Sequence, residues 1–267
     1  MGIISLYWKV VPEMVRDWWD DPNFSHGFLV PLFSAYLLWE RRHTLRFFPS
    51  GSSAWPGLTL LVVALVILVF GKAGGEYFTM RLSLVLVLAS FCYLISGLEG
   101  LKICLFPLAF MIFMIPIPYI LYDSIAFPLK LVASRIGEFS LHAVGIPVFR
   151  EGNIIHLSTL QLEVADACSG IRSLVSLTAL ATVSAYFFGL GMFRGAILFL
   201  SGVPVSVGTN SIRIFMTGII SNKYGPKFAH GFFHGVSGWL IFLLGLAIMV
   251  ALGLILRRTG VKRRHIS

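Results

Sequence analysis

Charged residues are scarce in this chain. Asp, Glu, Lys and Arg make up 12% of its 267 residues, hydrophobic residues make up 57%, and the mean hydropathy is +0.86. Because a soluble domain carries about a quarter charged residues, this composition excludes a soluble globular protein and predicts an integral membrane protein. The apolar runs recur too closely to leave room for a separate soluble domain of ~100 residues. We therefore expect one polytopic helical membrane domain over residues 1–267.

Acidic residues are in the minority, with 12 Asp and Glu against 21 Lys and Arg, so the net charge is +9. The basic residues gather in short stretches, chiefly 39–47 and 257–267, as the orientation signals of membrane proteins do. This pattern favours the lipid bilayer over nucleic acid as a partner. It also predicts that both stretches face the cytoplasm, and counting crossings from there places residues 122–167 outside.

Cysteine is rare, and the three residues are Cys92, Cys104 and Cys168. Their spacing matches no metal-binding motif, and an odd number cannot all form disulfides. Cys92 and Cys104 lie inside apolar runs, where a thiol packs as a small hydrophobic group. Cys168 differs, because it stands where a polar, acid-flanked segment meets a long apolar one. That position makes Cys168 the candidate for chemistry.

Seven apolar runs approach the length of a membrane-spanning helix. They are residues 26–40, 56–71, 78–97, 101–121, 168–189, 194–219 and 235–256. The amphipathic start, residues 3–19, is either an eighth short span or an interfacial helix. It lacks the basic start and the cleavage site of a signal peptide, so we expect the first helix to serve as an uncleaved signal. The predicted fold is an all-α bundle of about seven to eight spans.

Residues 122–167 form the longest stretch outside these main spans. Their first part has apolar residues at helical spacing, interrupted by Lys130, Arg135 and Glu138, which is typical of an interfacial or re-entrant helix. Residues 152–167 then alternate between apolar and polar, as a small extended hairpin does. We expect a small extracytoplasmic cap here, before the fifth main span.

Three reactive side chains fall on the same predicted membrane face. Cys168 lies at the outer end of the fifth span, Arg213 near the outer end of the sixth and His234 at the outer start of the seventh. An ionisable group costs about 2.5 kcal/mol or more at the bilayer centre, so Arg213 is a functional candidate, although an arginine near a span end also commonly snorkels to headgroups. A thiol beside a cation and an imidazole is the arrangement of a cysteine enzyme.

Residues near Cys168 are predicted to support it. Its place at a helix start exposes the backbone N–H groups of Ser169 and Gly170, which can face a developing oxyanion. Arg172 projects from the same helical face as Cys168, four residues on, and its charge favours the thiolate over the thiol.

His230 competes with His234 for the role of base. The two histidines are four residues apart, as in some metal sites, but no acidic residue accompanies them. Gly231 and Gly235 also weaken the helix that such a pair needs. We therefore predict neither a metal site nor a cofactor.

Four stretches of the chain, taken in order, resemble the blocks of one known family. They are residues 18–42 (WWDDPNFSHGFLVPLFSAYLLWERR), 145–174 (with ADACSGIRSL), 204–214 (PVSVGTNSIRI) and 234–242 (HGVSGWLIF). The family is the exosortases, with the archaeosortases as more distant relatives. The resemblance implies a membrane-embedded cysteine transpeptidase or protease, with Cys168 as the nucleophile and Arg213 and His234 as the family's arginine and histidine.

The resemblance also implies the partners. They are membrane-anchored proteins with a C-terminal sorting signal, namely a short Pro-Glu-Pro-like motif, a transmembrane helix and a basic tail, together with water or a lipid or glycan acceptor. It implies a bacterial inner membrane, with the site on the periplasmic side. Asn210 and His26 are predicted to support the site or bind substrate, and a turn-forming structural role is the plainer interpretation of the segment around His26. The alternatives are a transporter and a non-catalytic component of exopolysaccharide export.

Overall fold

In the computed structural model, the described residues are 5–45, 53–158, 161–163, 171–225 and 232–261. This part of the chain is dominantly helical, with one small sheet, which confirms the helical fold class. The chain divides into two compact units, Met1–Tyr119 and Ile120–Ser267. The single membrane domain expected over the whole chain stays a prediction.

The elements follow one another in this order. The first are α1 (Val10–Asp20), a 3₁₀ helix (Pro22–Phe28), α2 (Leu29–Glu40), α3 (Trp55–Gly74), α4 (Tyr77–Phe110) and a 3₁₀ helix (Met111–Met114). They are followed by α5 (Tyr119–Ala143), β1 (Val148–Glu151), β2 (Ile154–Leu157), β3 (Gln161–Glu163), α6 (Ile171–Phe187), α7 (Met192–Tyr224) and α8 (Phe232–Val261).

Four helical segments of the described chain are long and apolar enough to cross a membrane. They are Trp55–Gly74, Tyr77–Met114, Met192–Tyr224 and Ser237–Thr259. The predicted spans on α3, α7 and α8 correspond to three of them. Helix α6 contributes a shorter apolar stretch, and α2 has 12 residues. The total of seven to eight spans therefore stays a prediction.

Helix α4 covers the predicted span 78–97 and the first part of the predicted span 101–121. Its helical geometry is broken at Gly97 (φ 67°, ψ −167°), a conformation that glycine adopts readily because it lacks a Cβ. The second half ends at Phe110, continued by the 3₁₀ helix to Met114, earlier than predicted. The sequence that follows contains Pro116 and Pro118, and proline disfavours helical continuation because it lacks an N–H donor.

The connection between α3 and α4 in the first unit is only two residues long. Helix α3 ends at Gly74, and Gly75 caps it with a φ of 63°, the left-handed conformation of many helix ends. The Glu76 side chain then caps α4 by accepting hydrogen bonds from the backbone N–H groups of Phe78 and Thr79. The hydrophobic core beside this pair of helices consists of Tyr7, Val10, Ala64, Leu68, Met80 and Val87.

The second unit contains the predicted hairpin region as an antiparallel sheet in the order β1-β2-β3. The alternating pattern indicated β2 and β3, and β1 joins them. Ile155 and Leu157 of β2 point into a core with Leu141 of α5 and Ile214 of α7. Strand β1 is also tied to α5 by Arg150, whose Nε donates to Glu138 Oε2 at 2.9 Å. The extracytoplasmic location of this region stays a prediction.

Helices α6, α7 and α8 pack against one another in the second unit. Their shared core contains five buried side chains, which are Leu177, Ala181, Leu190, Leu198 and Met249. A short connection joins α6 to α7, so the two are antiparallel neighbours. Positions predicted to hold reactive side chains lie on these three helices.

Candidate functional site

Arg213 lies in the second half of α7, next to the buried residues Ser211 and Ile214. Its guanidinium packs against α8 at Gly238, where an added Cβ would lie 3.7 Å from Nη2 and 4.0 Å from Cζ. Because glycine has no side chain, the backbone of α8 can lie beside the charged group. The structure thus places the guanidinium of Arg213 between two helices of the second unit.

His234 is the third residue of α8, and the structure describes only its backbone position. It precedes Gly238 by four residues, which is about one helical turn. Residues four apart lie on the same helix face, so position 234 is on the face of α8 that packs against Arg213. The two predicted positions therefore share the α7–α8 interface.

The start of α6 lies at about the same level along these helices. An added Cβ at Gly245 would lie 3.2 Å from Leu177 Cδ1 of α6. Gly238 precedes Gly245 by seven residues on α8, and Ile171 precedes Leu177 by six residues on α6. At about 1.5 Å per residue these steps are ~10 Å and ~9 Å, in the same direction because both helices are antiparallel to α7. The first residue of α6 therefore stands near the level of the Arg213–Gly238 contact.

Cys168 precedes that first residue by three positions, but it lies outside the described residues. Ser169, Gly170 and His230 also lie outside them. Arg172 is the second residue of α6, and only its backbone position is described. The roles assigned to these residues stay predictions.

Asn210 lies on α7, three residues before Arg213, and is 4% exposed. Residues three apart are neighbours on a helix surface, so the carboxamide and the guanidinium belong to one stripe of α7. A supporting role for Asn210 requires it to lie beside Arg213, and this spacing makes the two residues neighbours on α7.

His26 belongs to the first unit, in the 3₁₀ helix that precedes α2. Its ring Nε2 donates to the backbone carbonyl of Phe113 at 3.0 Å. Nearby, the Trp18 indole N–H donates to the carbonyl of Met114 at 2.7 Å. Both bonds fasten the N-terminal segment to the end of the α4 region, which gives His26 a structural task within its unit.

The first unit also contains a cavity of about 590 Å³ that the sequence analysis missed. Its lining includes Arg81, a buried residue whose Nη2 pairs with Asp17 Oδ2 at 2.6 Å. A signal was present, since Arg81 is the only charged residue of the predicted span 78–97. An intramembrane arginine is costly without a partner, so its presence alone predicts a carboxylate beside it.

Two other carboxylates of this cavity, Asp21 and Glu76, have structural partners too. Asp21 accepts hydrogen bonds from the backbone N–H of Asn23 and the hydroxyl of Tyr119. Burial opposes ionisation of Glu76, but its hydrogen bonds at the start of α4, aided by the charge of Arg81, lower the pKa of this carboxyl below its ordinary value. Among the described residues, no cluster of three or more His, Cys, Asp or Glu side chains is arranged to hold a metal ion.

Comparison with known proteins identifies the family. A search of the curated proteins and a search of the solved structures found no match. The family model described as transmembrane exosortase matches residues 18–251, which is nearly the whole chain and includes the stretches that contain Arg213 and His234. The resemblance of the four sequence blocks is thereby confirmed, and the chain belongs to the transmembrane exosortase family.

Proposed function

We propose that this exosortase is a membrane-embedded cysteine transpeptidase or protease. Its substrates are exported proteins that end in a Pro-Glu-Pro-like motif, a transmembrane helix and a basic tail. Cys168 is the nucleophile, Arg213 stabilises the oxyanion and His234 transfers protons. The observation that carries the proposal is the contact of the Arg213 guanidinium with α8 at Gly238, one turn after His234 and near the level at which α6 begins.

In the first half-reaction, the thiolate of Cys168 attacks the carbonyl carbon of the scissile peptide bond. A C–S bond forms, and the π electron pair of the carbonyl moves to its oxygen, which Arg213 and the N–H groups of Ser169 and Gly170 stabilise. Collapse of this intermediate breaks the C–N bond. The protonated imidazole of His234 gives a proton to the leaving amine, and a thioester remains on the enzyme.

In the second half-reaction, an acceptor hydroxyl, amine or water attacks the thioester carbonyl. The neutral imidazole of His234 takes the proton of the acceptor, and the thiolate of Cys168 leaves as the C–S bond breaks. With water the product is a cleaved protein. With a lipid or glycan acceptor the product is an anchored one. Arg172 and the helix start keep the departing sulfur anionic.

The basic stretches support the orientation of the site. Residues 39–47 and 257–267 hold dense Lys and Arg and belong on the cytoplasmic side of the bacterial inner membrane by the positive-inside rule. That orientation directs the sorting motif, which lies just outside the substrate's own transmembrane helix, to the periplasmic side. His26 then has its place in the scaffold, not in the reaction.

The test is co-expression with a candidate substrate that carries a C-terminal Pro-Glu-Pro signal, followed on a gel. Cys168→Ala should abolish the size change, while Cys92→Ala and Cys104→Ala, at the other two cysteines, should process the substrate normally. Processing by folded Cys168→Ala at the parental rate would contradict the enzyme assignment. It would favour a transporter or a non-catalytic assembly component.

A further inference from the structure

Helix α7 carries a buried polar stripe in the region of Arg213. Its members are Ser206, Thr209, Asn210 and Ser211, each between 1% and 4% exposed. The Thr209 hydroxyl donates to the carbonyls of Val205 and Ser206, and the Ser211 hydroxyl donates to Val207. These hydroxyls thus satisfy their hydrogen bonds within their own helix.

Asn210 is different. Its Nδ2 is fully buried and has no hydrogen-bond partner among the residues that the structure describes. A carboxamide cannot return its two N–H donors to the carbonyls of its own helix as a short hydroxyl side chain does. Burying these donors unpaired is unfavourable, and such a group in a folded protein requires an explanation.

A helix–helix hydrogen bond is the ordinary reason for an asparagine inside a membrane protein. That reason needs an acceptor on a neighbouring helix, and the described parts of α5, α6 and α8 supply none to Nδ2. An acceptor that arrives with a ligand is a second reason for such an asparagine. Arg213 lies one turn along the same helix face, so a ligand oxygen near Asn210 would also lie near a guanidinium.

We infer that Asn210 is a substrate-binding residue whose Nδ2 donates to the scissile carbonyl oxygen beside Arg213. The inference rests on the proposed function, because it assigns the ligand as the acyl group under attack. As the carbonyl becomes an oxyanion, a neutral donor and a charged donor both bind it more tightly than they bind the ground state. Asn210 thereby serves both acylation and deacylation, which pass through the same kind of oxyanion.

The test compares Asn210→Leu, Asn210→Ala and Asn210→Asp with Thr209→Val as the matched control, using the purified full chain and a sorting-signal substrate. The expected result is a fall in kcat of about 10²–10³-fold for Asn210→Leu and Asn210→Ala, with KM changed much less. Asn210→Asp should fall further, because a carboxylate repels the oxyanion. Thr209→Val should stay within about threefold, because its hydroxyl bonds only to its own helix.

Thermal stability separates this role from a structural one. Since Nδ2 of Asn210 has no partner within the described part of the chain, the near-isosteric apolar Asn210→Leu should unfold at the parental temperature or above it while losing turnover. A lower unfolding temperature with parental turnover per folded molecule would overturn the inference.

Two outcomes distinguish the failure of this inference from the failure of the proposed function. If Cys168→Ala is inactive and Asn210→Ala is as active as the parent, only the role of Asn210 is wrong. If folded Cys168→Ala processes the substrate normally, the thioacyl mechanism is wrong, and the assignment of Asn210 falls with it.

Discussion

Each unit of the chain has an arginine on an apolar helix, and the surroundings of the two guanidinium groups differ. In the first unit, Arg81 is 3% exposed and is held by the carboxylate of Asp17 at 2.6 Å. In the second unit, the Arg213 guanidinium lies beside the backbone of α8 at Gly238, one turn from Asn210, whose Nδ2 has no hydrogen-bond partner among the described residues. The difference teaches that an arginine on an apolar helix does not by itself indicate a reactive site, because Arg81 has a structural ion pair. Under the proposed function, Arg213 is the arginine that meets the substrate.

The contrast extends to the carboxylates. Asp21 and Glu76 of the first unit accept hydrogen bonds from nearby backbone N–H groups, so their charges stabilise helix starts and turns. The described stripe on α7 contains hydroxyls, an amide and a guanidinium. Because the Thr209 and Ser211 hydroxyls donate to their own helix, the amide of Asn210 and the guanidinium of Arg213 are the donors suited to a reaction in which negative charge develops on oxygen.

The largest expected effect separates the two arginines. Arg213→Ala should lower kcat by about 10²–10³-fold, about 3–4 kcal/mol of barrier, because it removes a donor to the oxyanion. Alkylation of Cys168 by a small maleimide should persist in this variant, since the thiol remains.

Arg81→Met is the matched change in the first unit. It should lower the amount or the thermal stability of folded protein and leave turnover per folded molecule near the parental value. Equal losses of turnover in folded Arg81→Met and Arg213→Ala would erase the distinction between the units.

The next effect concerns Gly238. A leucine side chain there would occupy the space of the Arg213 guanidinium, and a misplacement of about 1 Å in a catalytic group can cost about 10²-fold in rate. Gly238→Leu should therefore lower turnover of the sorting-signal substrate by about that factor. Gly238→Ala is the control, because a Cβ at 3.7 Å makes an ordinary van der Waals contact. Full activity of Gly238→Leu would show that the guanidinium has no fixed catalytic position.

A smaller effect belongs to the ion pair of the first unit. Asp17→Asn leaves the buried charge of Arg81 without its carboxylate, and we expect the free energy of unfolding to fall by about 1–2 kcal/mol, since Asp17 is partly exposed. Denaturant unfolding in detergent measures it. Asp20→Asn changes a neighbouring exposed carboxylate of α1 and should stay within about 0.5 kcal/mol. Equal changes in the two variants would show that the pair is structurally unimportant.

The smallest effect is the cap of α4. Glu76→Ala should lower stability by about 1 kcal/mol at neutral pH, as the loss of an N-cap does. Because the folded protein lowers the pKa of Glu76, its contribution is complete above the ordinary carboxyl range and disappears as the pH falls through the lowered value. The difference between parent and variant should therefore shrink in acid. A difference that grows in acid would contradict the assigned direction of the shift.

Hydropathy and alternation predicted much of the fold. The long helices α3, α7 and α8 and the paired strands β2 and β3 follow from patterns within single segments, which local sequence reports well. The helical segment formed by α4 and the 3₁₀ helix after it ends at Met114, seven residues before the predicted end at 121. Hydropathy continues through residues that the two prolines remove from the helix.

The candidate site shows the complementary limit. The sequence predicted that Cys168, Arg213 and His234 lie on one membrane face, and this stays a prediction. The contact of Gly238 with the Arg213 guanidinium and the lack of a described partner for Asn210 Nδ2 depend on which helices pack together. The sequence of a single segment does not determine that packing. The partner of Arg81 was missed for the same reason.

The most direct test of the central claim is capture of the thioester. Purified enzyme is mixed with a sorting-signal substrate, quenched in acid and analysed by intact and peptide mass spectrometry. The account predicts an adduct with the mass of the substrate's N-terminal fragment on Cys168, released by hydroxylamine and absent from Cys168→Ala. Product formation by an enzyme that never carries this adduct, together with equal turnover by Cys168→Ala, would contradict it.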